Sequence, residues 1–425
     1  MIAAGLVGQE EQVKRYRVDG EVGRFEFKTY RVEGENGAVV DTADLFPALT
    51  GQEWYRTEGF KEIGFVHGTI KGSFRQTAAW LNRVRHQPEG TPERTLSHNS
   101  EQEGQRLLKH LNQKAEQVLS EHQFVLNQPP PEQQADYQSQ TLIGLDPASV
   151  LAAVKTCAPD PSYEAEMLKN PVPYEVAAES IQVSIDPVGV KKQKESREGS
   201  PKTKKRDMAY QTVAHLQHGE RTYTLNGRDI GTVLTLILAF LLHNDLLRYN
   251  LFFFVDGQRS LNSTILALFA WFSPLQLILD WYHLQEKCQS QLSMALQGRD
   301  RRNQVLDQLM PLLWLGTVER AITLLQAIET DHIKNQARLD ELIGYLQRQR
   351  PYIPCYAVRK ALGLRNSSNC GEKSNDLLVS ARQKHNGMSW SSTGSVALAA
   401  LTALVRNNEY QQWFQFHTVR FSFAT

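Results

Sequence analysis

Three acidic residues that lie far apart in the chain are the best candidates for chemistry: Asp186, Asp256 and Glu372. Carboxylate oxygens are the ligands that Mg²⁺ prefers, and this ion keeps several of its waters beside them. Two such ions ~4 Å apart can activate an attacking oxygen and stabilise a leaving oxygen during in-line phosphoryl transfer. If the fold gathers the three acids, we therefore expect a site for two Mg²⁺ (or Mn²⁺) ions. Because like charges repel, we expect this site to be poor without metal.

Two short apolar runs each end on a carboxylate. Leu251–Val255 leads into Asp256-Gly257, and Leu275–Leu279 leads into Asp280. Continuous apolar runs of this length are typical of strands that are covered on both faces. Side chains at the ends of such strands face the crevice where ligands bind in open α/β sheets. A second interpretation stays open, in which Asp256-Gly257 is only a turn signal.

The elements around these runs predict a mixed α/β sheet. Ser180–Val188 alternates like a strand and delivers Asp186, and Met208–Leu216 and Arg221–Leu225 follow as two further strands. An apolar helix over Asp229–Leu247 precedes the strand that ends at Asp256. This order is that of the ribonuclease-H-like fold, in which the first and fourth strands are neighbours. We therefore expect Asp186 and Asp256 to lie side by side.

The third acid follows a long helical stretch. From His283 to about Arg350, leucine, isoleucine and valine recur at three- and four-residue spacing, which predicts an all-helical insertion after the last strand. A later helix carries Glu372 and could bring it to the two aspartates by crossing near the first and fourth strands. Taken alone, Glu372 is equally typical of an ordinary glutamate in the first turn of a helix.

The N-terminal part differs in pattern. Residues up to about Glu53 alternate around glycine turns and predict a few antiparallel strands. Gly72–Thr95 predicts two short helices with a tight turn, with Ser73 capping the first helix and Thr91-Pro92 opening the second. This pattern indicates a helix-turn-helix, although a plain helical hairpin stays open. Its basic residues that could meet phosphates are Arg83, Arg85, Arg94 and Lys109.

The composition of the chain bears on nucleic-acid binding, on cysteine-based sites and on membrane insertion. The 425 residues carry 47 Lys+Arg and 46 Asp+Glu, so a nucleic-acid partner must be sought in local patches rather than in net charge. The four cysteines form no CxxC pair, which argues against a zinc knuckle or disulfide framework and favours a reducing, intracellular setting. Thr232–Leu242 is the most apolar segment, but it is shorter than the ~20 residues that span a bilayer.

The strongest basic patch is the segment Val190–Arg206, which has a Gly-Ser-Pro break in its middle. A flexible basic loop favours a polyanion, whereas a merely solvated loop is the competing interpretation. Arg382 and Lys384 make the stretch after Glu372 basic as well. The candidate DNA-binding residues of the loop are Lys191, Lys192, Lys194, Arg197, Lys202, Lys204, Lys205 and Arg206.

Several motifs resemble a known protein family. They are Asp256-Gly257, Asp280-Trp281-Tyr282-His283, Cys370-Gly371-Glu372-Lys373-Ser374-Asn375 and Arg382–Trp390. Over roughly residues 175–413 the chain resembles bacterial insertion-sequence transposases of the ISKra and ISLre type, which belong to the DDE group. The resemblance implies that Asp186, Asp256 and Glu372 bind the metals, and that Asp280 and His283 match an Asp/Cys-x-x-His motif near the site. A histidine that caps a helix is the alternative for His283.

The sequence thus predicts six segments. They are a β-rich module (1–53), a helix-turn-helix-like DNA-binding region (54–127), a linker with helices (128–174), a ribonuclease-H-like core (175–284), an all-helical insertion (285–354) and the C-terminal part of the core with the glutamate helix (355–425).

The function that this resemblance implies is DNA transposition. We expect binding to the terminal inverted repeats of an insertion sequence, Mg²⁺-dependent phosphodiester hydrolysis and strand transfer into target DNA. The expected partner is double-stranded DNA, bound by a homodimer or higher oligomer, with no membrane partner and a bacterial cytoplasmic, nucleoid-associated location. Two alternatives stay open: a ribonuclease-H-like nuclease, and an inactive or domesticated transposase-derived DNA-binding protein.

Overall fold

The computed structural model describes residues 10–33, 39–41, 54–68, 73–86, 90–193, 207–369, 376–384 and 389–424. The chain forms two compact units. The first unit consists of residues 1–108 and 397–420, and the second consists of residues 109–396 and 421–425.

The first unit begins with a four-stranded sheet. Its strands are β1 (Glu10–Gly20), β2 (Gly23–Glu33), β3 (Val39–Asp41) and β4 (Trp54–Arg56), in the order β3-β2-β1-β4. The first three strands pair antiparallel, as the alternating pattern predicts. A fourth strand was not predicted: β4 begins just after residue 53 and pairs parallel to β1. A three-residue strand at a sheet edge carries too little pattern to be recognised from sequence.

Three helices follow this sheet: α1 (Glu58–Val66), α2 (Phe74–Val84) and α3 (Glu93–Glu121). Ser73 caps α2 in a capping box with Gln76, which confirms the predicted cap. Helix α3 begins one residue later than predicted. The carbonyl of Pro92, the residue just before the helix, accepts the N–H of Thr95 in its first turn. Pro92 therefore precedes the helix instead of occupying its first position.

Thr91 takes part in a buried ion-pair network of the first unit. Asp19 on β1 accepts hydrogen bonds from Arg85 Nη2 (2.9 Å) and Arg24 Nε (3.0 Å). Arg85 Nη1 donates to Thr91 Oγ1 (3.0 Å), and Arg24 Nη2 donates to the Gly90 carbonyl (2.7 Å). The network ties the β1–β2 hairpin to the α2–α3 turn. Arg85 is therefore an internal residue, which contradicts its expected phosphate contact, whereas the other three candidates, Arg83, Arg94 and Lys109, are exposed.

The second unit contains a mixed five-stranded sheet. Its strands are β5 (Ser180–Lys191), β6 (Met208–His218), β7 (Arg221–Gly227), β8 (Asn250–Val255) and β9 (Leu275–Leu279). Their order is β7-β6-β5-β8-β9, with β5, β8 and β9 parallel and β6 and β7 antiparallel. The first and fourth strands of this sheet are neighbours, as the predicted element order requires.

The helices of this unit that precede the insertion are α4 (Pro131–Ser139), α5 (Pro147–Cys157), α6 (Pro161–Met167), α7 (Ile230–His243) and α8 (Arg259–Leu268). Every residue of β8 is buried, which accounts for its unbroken apolar run. Helix α7 occupies 14 residues and is largely buried. Among the described residues, no helix combines the length and apolar character needed to cross a membrane.

The stretch after β9 is helical, as the spacing of its apolar residues predicts. It comprises α9 (Trp281–Ala295), α10 (Arg299–Trp314), α11 (Val318–Gln326) and α12 (Gln336–Gln349), followed by α13 (Tyr356–Ala361). Leu292, Leu309, Leu325 and Leu342 contribute one buried residue from each helix of the insertion to a common core. The described chain then continues with a π-helical turn at Asp376–Ser380 and the helix Ser392–Arg406.

Candidate active site

The register of two parallel strands determines where Asp186 and Asp256 lie. The last paired residues of β5 and β8 are Ser184 and Phe254. Asp186 and Asp256 each follow that pair by two residues, so they occupy equivalent positions on the same face of neighbouring strands. Such strands run about 4.8 Å apart. Both aspartates are half-buried, and the register gives them equivalent positions on neighbouring strands, with Asp186 inside β5 and Asp256 directly after β8.

A tight turn presents Asp256. Its Oδ1 accepts the backbone N–H of Gln258 (2.7 Å), and Gly257 between them has a φ of +83°. A positive φ strains any residue with a Cβ, so glycine fits this turn. Asp256-Gly257 can therefore form a turn and also contribute to a metal site, because one carboxylate oxygen of Asp256 fixes the turn. Helix α8 begins only at Arg259.

Helix α12 of the insertion packs against the same turn. Gln349 Nε2 donates to the Gly257 carbonyl (2.9 Å), and a Cβ at residue 257 would lie 2.5 Å from the Tyr345 hydroxyl. Tyr345 is buried, and its hydroxyl has no hydrogen-bond partner among the residues that the structure describes. Burial raises the pKa of Tyr345, and electrostatic interactions with Cys288 and Asp256 raise it further. The insertion therefore holds the backbone beside Asp256.

Asp280 occupies the corresponding end of β9 but has a different environment. Its N–H donates to the Val255 carbonyl (2.9 Å), and its side chain is completely buried. Oδ1 accepts the N–H groups of Tyr282 (2.8 Å) and His283 (3.1 Å), so Asp280 caps α9. Oδ2 accepts the Ser368 hydroxyl (2.9 Å) and the Ser368 backbone N–H. Internal donors therefore occupy both carboxylate oxygens.

His283 lies beside this cap. Its Nδ1 is 3.3 Å from Asp280 Oδ1, and about a third of its side chain is exposed. Burial by itself raises the pKa of Asp280, but hydrogen bonds from His283 and Ser368 outweigh burial, and the pKa is lowered. Asp280 and His283 are thus close to each other, in a contact that fixes the start of α9.

Glu372 lies outside the described residues, but the chain before it is anchored. Ser368 binds Asp280, and the Asn366 carbonyl accepts the N–H of Trp281 (3.1 Å). Because Asp280 and Trp281 follow β9 directly, this anchor is at the end of that strand.

The chain after Glu372 is anchored on the other side of β8. The N–H of Trp390 donates to the Lys191 carbonyl (2.9 Å), and the Trp390 carbonyl accepts the N–H of Gln193 (2.8 Å). Gln383 is buried and exchanges hydrogen bonds with Ser395, at 2.6 Å and 3.0 Å. The described flanks of the Glu372 segment are therefore bound at the ends of β9 and β5, the two strands that flank β8.

The predicted basic loop starts at the same edge of the sheet. Strand β5 continues five residues beyond Asp186, to the exposed Lys191, and the N–H of the half-buried Lys192 donates to the Asp207 carbonyl (2.9 Å). This bond closes the base of the hairpin. Outside the described residues lie Lys194, Arg197, Lys202, Lys204, Lys205 and Arg206.

Two further basic residues differ in exposure. Lys384 is exposed, whereas Arg382 is 8% exposed and its guanidinium lies over the Trp390 ring, 5.4 Å from the centroid. Burial lowers the pKa of Arg382. This internal position differs from the surface position expected of a phosphate ligand.

Sequence reasoning missed the residues that support the acids. Tyr345 and Gln349 belong to an ordinary amphipathic helix, and only the fold brings them to Gly257. Ser368 lies in a polar stretch, Asn366-Ser367-Ser368-Asn369, where nothing local indicates which serine binds Asp280.

Comparisons with known proteins give one structural similarity. No protein-family model matches the chain. No curated protein matches it either. Among solved structures, the chain is similar to the Drosophila P element transposase strand transfer complex, with 12% identity over 84% of this chain and 87% of that chain and a TM-score of 0.20.

Proposed function

We propose that this chain is a DNA transposase with a ribonuclease-H-like catalytic core. In this proposal its metal-binding acids are Asp186, Asp256 and Glu372. The chain binds the terminal inverted repeats of an insertion sequence, hydrolyses a phosphodiester to free a 3′-hydroxyl and directs that hydroxyl onto target DNA. The proposed setting is a bacterial cytoplasm, where a homodimer or higher oligomer assembles on DNA.

One observation carries this proposal: the β5–β8 register, which supports equivalent positions for Asp186 and Asp256 on neighbouring strands. The sheet order β7-β6-β5-β8-β9 is the order expected of a ribonuclease-H-like core. Acids 70 residues apart in sequence become neighbours only because β5 and β8 pair in this order.

The anchoring of Ser368 supports Glu372 as the third acid. Glu372 follows Ser368 by four residues, and four extended residues reach about 14 Å. Ser368 binds Asp280 at the end of β9, one strand from Asp256, and neighbouring strands are about 4.8 Å apart. Glu372 is therefore within reach of the two aspartates.

The donor set fits a hard divalent ion. Asp186 and Asp256 are half-buried carboxylates, whereas Asp280 is fully buried and accepts internal hydrogen bonds at both oxygens. The residues that would hold Mg²⁺ are thus Asp186, Asp256 and Glu372, with Asp280 and His283 as structural support. Bound Mg²⁺ supplies charge stabilisation for phosphoryl transfer. The role of the Gly257 turn is to fix the direction of Asp256.

The basic hairpin supports a DNA partner. Because β5 extends past Asp186, the hairpin base at Lys191 and Lys192 lies at the edge that carries the acids. In the proposal, Lys191, Lys192, Lys384 and the basic residues 194–206 bind phosphates, and the helices of residues 54–127 bind the terminal repeats as a helix-turn-helix. Binding is then expected to weaken steeply with salt.

A cleavage assay on the DNA ends that flank the coding sequence tests the proposal. We expect the parent to cut these ends with Mg²⁺, and Asp186→Asn, Asp256→Asn and Glu372→Gln each to abolish cutting while DNA binding persists. Asp307→Asn, on an exposed position of α10, is the matched control and should cut like the parent.

A second assay supplies pre-cut ends and measures joining to target DNA. A parent that cuts but does not join is a nuclease of the same fold. A parent that binds DNA and never cuts with Mg²⁺ is a transposase-derived binding protein. Equal cleavage by the parent and all three acid variants contradicts the site.

A further inference from the structure

The first unit brings together three potential metal ligands that are distant in sequence. Glu58 lies in the first turn of α1, Glu103 lies on α3, and His417 follows the helix Tyr410–Phe416. One ligand atom from each residue lies within 4.8 Å of the ligand atoms of the other two. The proposed transposase chemistry uses none of these residues.

Two ligand-type atoms of this cluster are buried and without a hydrogen bond. His417 Nδ1 and Glu58 Oε2 have essentially no exposed surface and no hydrogen-bond partner among the residues that the structure describes. Glu103 is itself 7% exposed. Buried polar atoms without partners are rare in folded proteins, and an ion is one of the partners that can satisfy them. Because Glu58, Glu103 and His417 also bring ligand atoms within 4.8 Å of one another, a shared ion is a suitable partner.

The surrounding contacts orient the two carboxylates. Lys61 Nζ lies 2.6 Å from Glu58 Oε1, which leaves Oε2 directed elsewhere. Trp413 Nε1 donates to Glu103 Oε1 (2.8 Å), and Arg106 Nη1 is 3.8 Å from the same oxygen. Donors behind a ligating carboxylate fix its orientation in metal sites. Two carboxylates in one buried place repel each other, and a cation relieves this repulsion.

We propose that Glu58, Glu103 and His417 bind one divalent transition-metal ion of the Zn²⁺, Co²⁺ or Mn²⁺ class. An imidazole nitrogen beside carboxylate oxygens suits these ions, whereas Mg²⁺ prefers oxygen ligands and retains its waters. Ligand atoms about 2.1 Å from a tetrahedral ion lie roughly 3.4 Å from each other. Small side-chain movements therefore close the observed cluster to bonding distance.

The proposed ion has a structural role. It joins the start of α1, the middle of α3 and the end of a helix that lies more than 300 residues later in the chain. A metal that binds only the folded arrangement adds its binding free energy to folding. The site therefore fastens the C-terminal segment of the first unit to its N-terminal helices.

Metal titration of the full, untagged chain after chelator treatment tests this proposal. With CoCl2 as the probe, we expect one saturable visible absorption band per chain, which ZnCl2 abolishes and MgCl2 does not. We also expect ZnCl2, but not MgCl2, to raise the melting temperature by several degrees. His417→Ala, Glu103→Gln and Glu58→Gln should each weaken Co²⁺ binding by at least about tenfold.

Two matched controls keep the interpretation specific. His98→Ala removes an exposed histidine of α3, and Glu62→Gln removes a neighbouring acid of α1; both should bind Co²⁺ like the parent. Glu58→Gln preserves side-chain size, so its Co²⁺ affinity tests the proposed site even if His417→Ala fails to fold. A parent without a saturable band, equal competition by MgCl2, or unchanged affinity in Glu58→Gln and Glu103→Gln overturns the proposal.

Discussion

Two neighbouring strands, β8 and β9, end on the same residue type but place it in different environments. Asp256 is half-buried, and its Oδ1 accepts one backbone N–H. Asp280 is fully buried and accepts four hydrogen bonds from the start of α9 and from Ser368. The distance to the next helix explains the contrast. Helix α9 begins one residue after Asp280, whereas α8 begins three residues after Asp256.

This contrast shows how a sheet can keep one strand-end acid available while using the next for folding. An aspartate directly before a helix becomes its N-cap, and its carboxylate oxygens accept hydrogen bonds from backbone N–H groups. Gly257 delays the helix after Asp256, and its carbonyl binds Gln349 of the insertion. The insertion thus supports the available acid from outside the sheet.

Replacing each aspartate by alanine tests the comparison most strongly. Asp280→Ala should lower the free energy of unfolding by roughly 2–4 kcal/mol, since it removes a cap and leaves buried donors unpaired. Asp256→Ala should change stability by less than about 1 kcal/mol, yet reduce Mg²⁺-dependent cleavage roughly 10³-fold through lost charge stabilisation. Chemical denaturation and the cleavage assay measure the two effects.

Asp229→Ala is the control for the cap. Asp229 also caps a helix, α7, but it is exposed, and its loss should cost only about 1 kcal/mol. If Asp256→Ala destabilises as much as Asp280→Ala, the proposed division between the two strand ends is wrong.

Replacing Gly257 by alanine tests the turn that separates Asp256 from helix α8. Gly257→Ala introduces a Cβ at a φ of +83° and 2.5 Å from the Tyr345 hydroxyl, so strain and overpacking should together cost about 2–4 kcal/mol. Gly363→Ala has a similar φ, +72°, with open space around the new Cβ, and should cost only about 1–2 kcal/mol. Thermal or urea unfolding of the two variants gives the difference.

A double variant assigns the extra cost to the hydroxyl. Tyr345→Phe removes an atom that has no hydrogen-bond partner in the described part of the chain, and should alone be nearly neutral. Combined with Gly257→Ala, it should recover part of the loss. Strictly additive effects would show that the Tyr345 hydroxyl does not cause the extra cost.

The pH dependence of stability gives the smallest expected effect. The pKa of Asp280 is lowered in the folded chain by its hydrogen bonds with His283 and Ser368, which outweigh burial. Its stabilising contribution is therefore present above the unfolded pKa of about 4 and is lost as pH falls through the folded pKa. Unfolding between pH 6 and 3 should show a shallower stability loss for Asp280→Asn than for the parent. Parallel curves would rule out this contribution.

Local patterns predicted much of the second unit. The apolar runs at 251–255 and 275–279 form β8 and β9, and the helical spacing after His283 forms α9 to α12. These strands and helices can be recognised from the sequence because each buries side chains with a simple period. The short strand β4 was not predicted, and the expected phosphate contact of Arg85 was wrong, because both depend on partners distant in sequence.

By itself, the sequence determined which residues end strands and which segments are helices, since burial on a strand or helix imposes a readable spacing. Only the tertiary structure decided that Asp280 is an internal cap and that Tyr345 and Gln349 meet Gly257. The physical reason is the same in each case. Strand pairing and hydrogen bonding join groups across tens to hundreds of residues, and no local pattern records the partner.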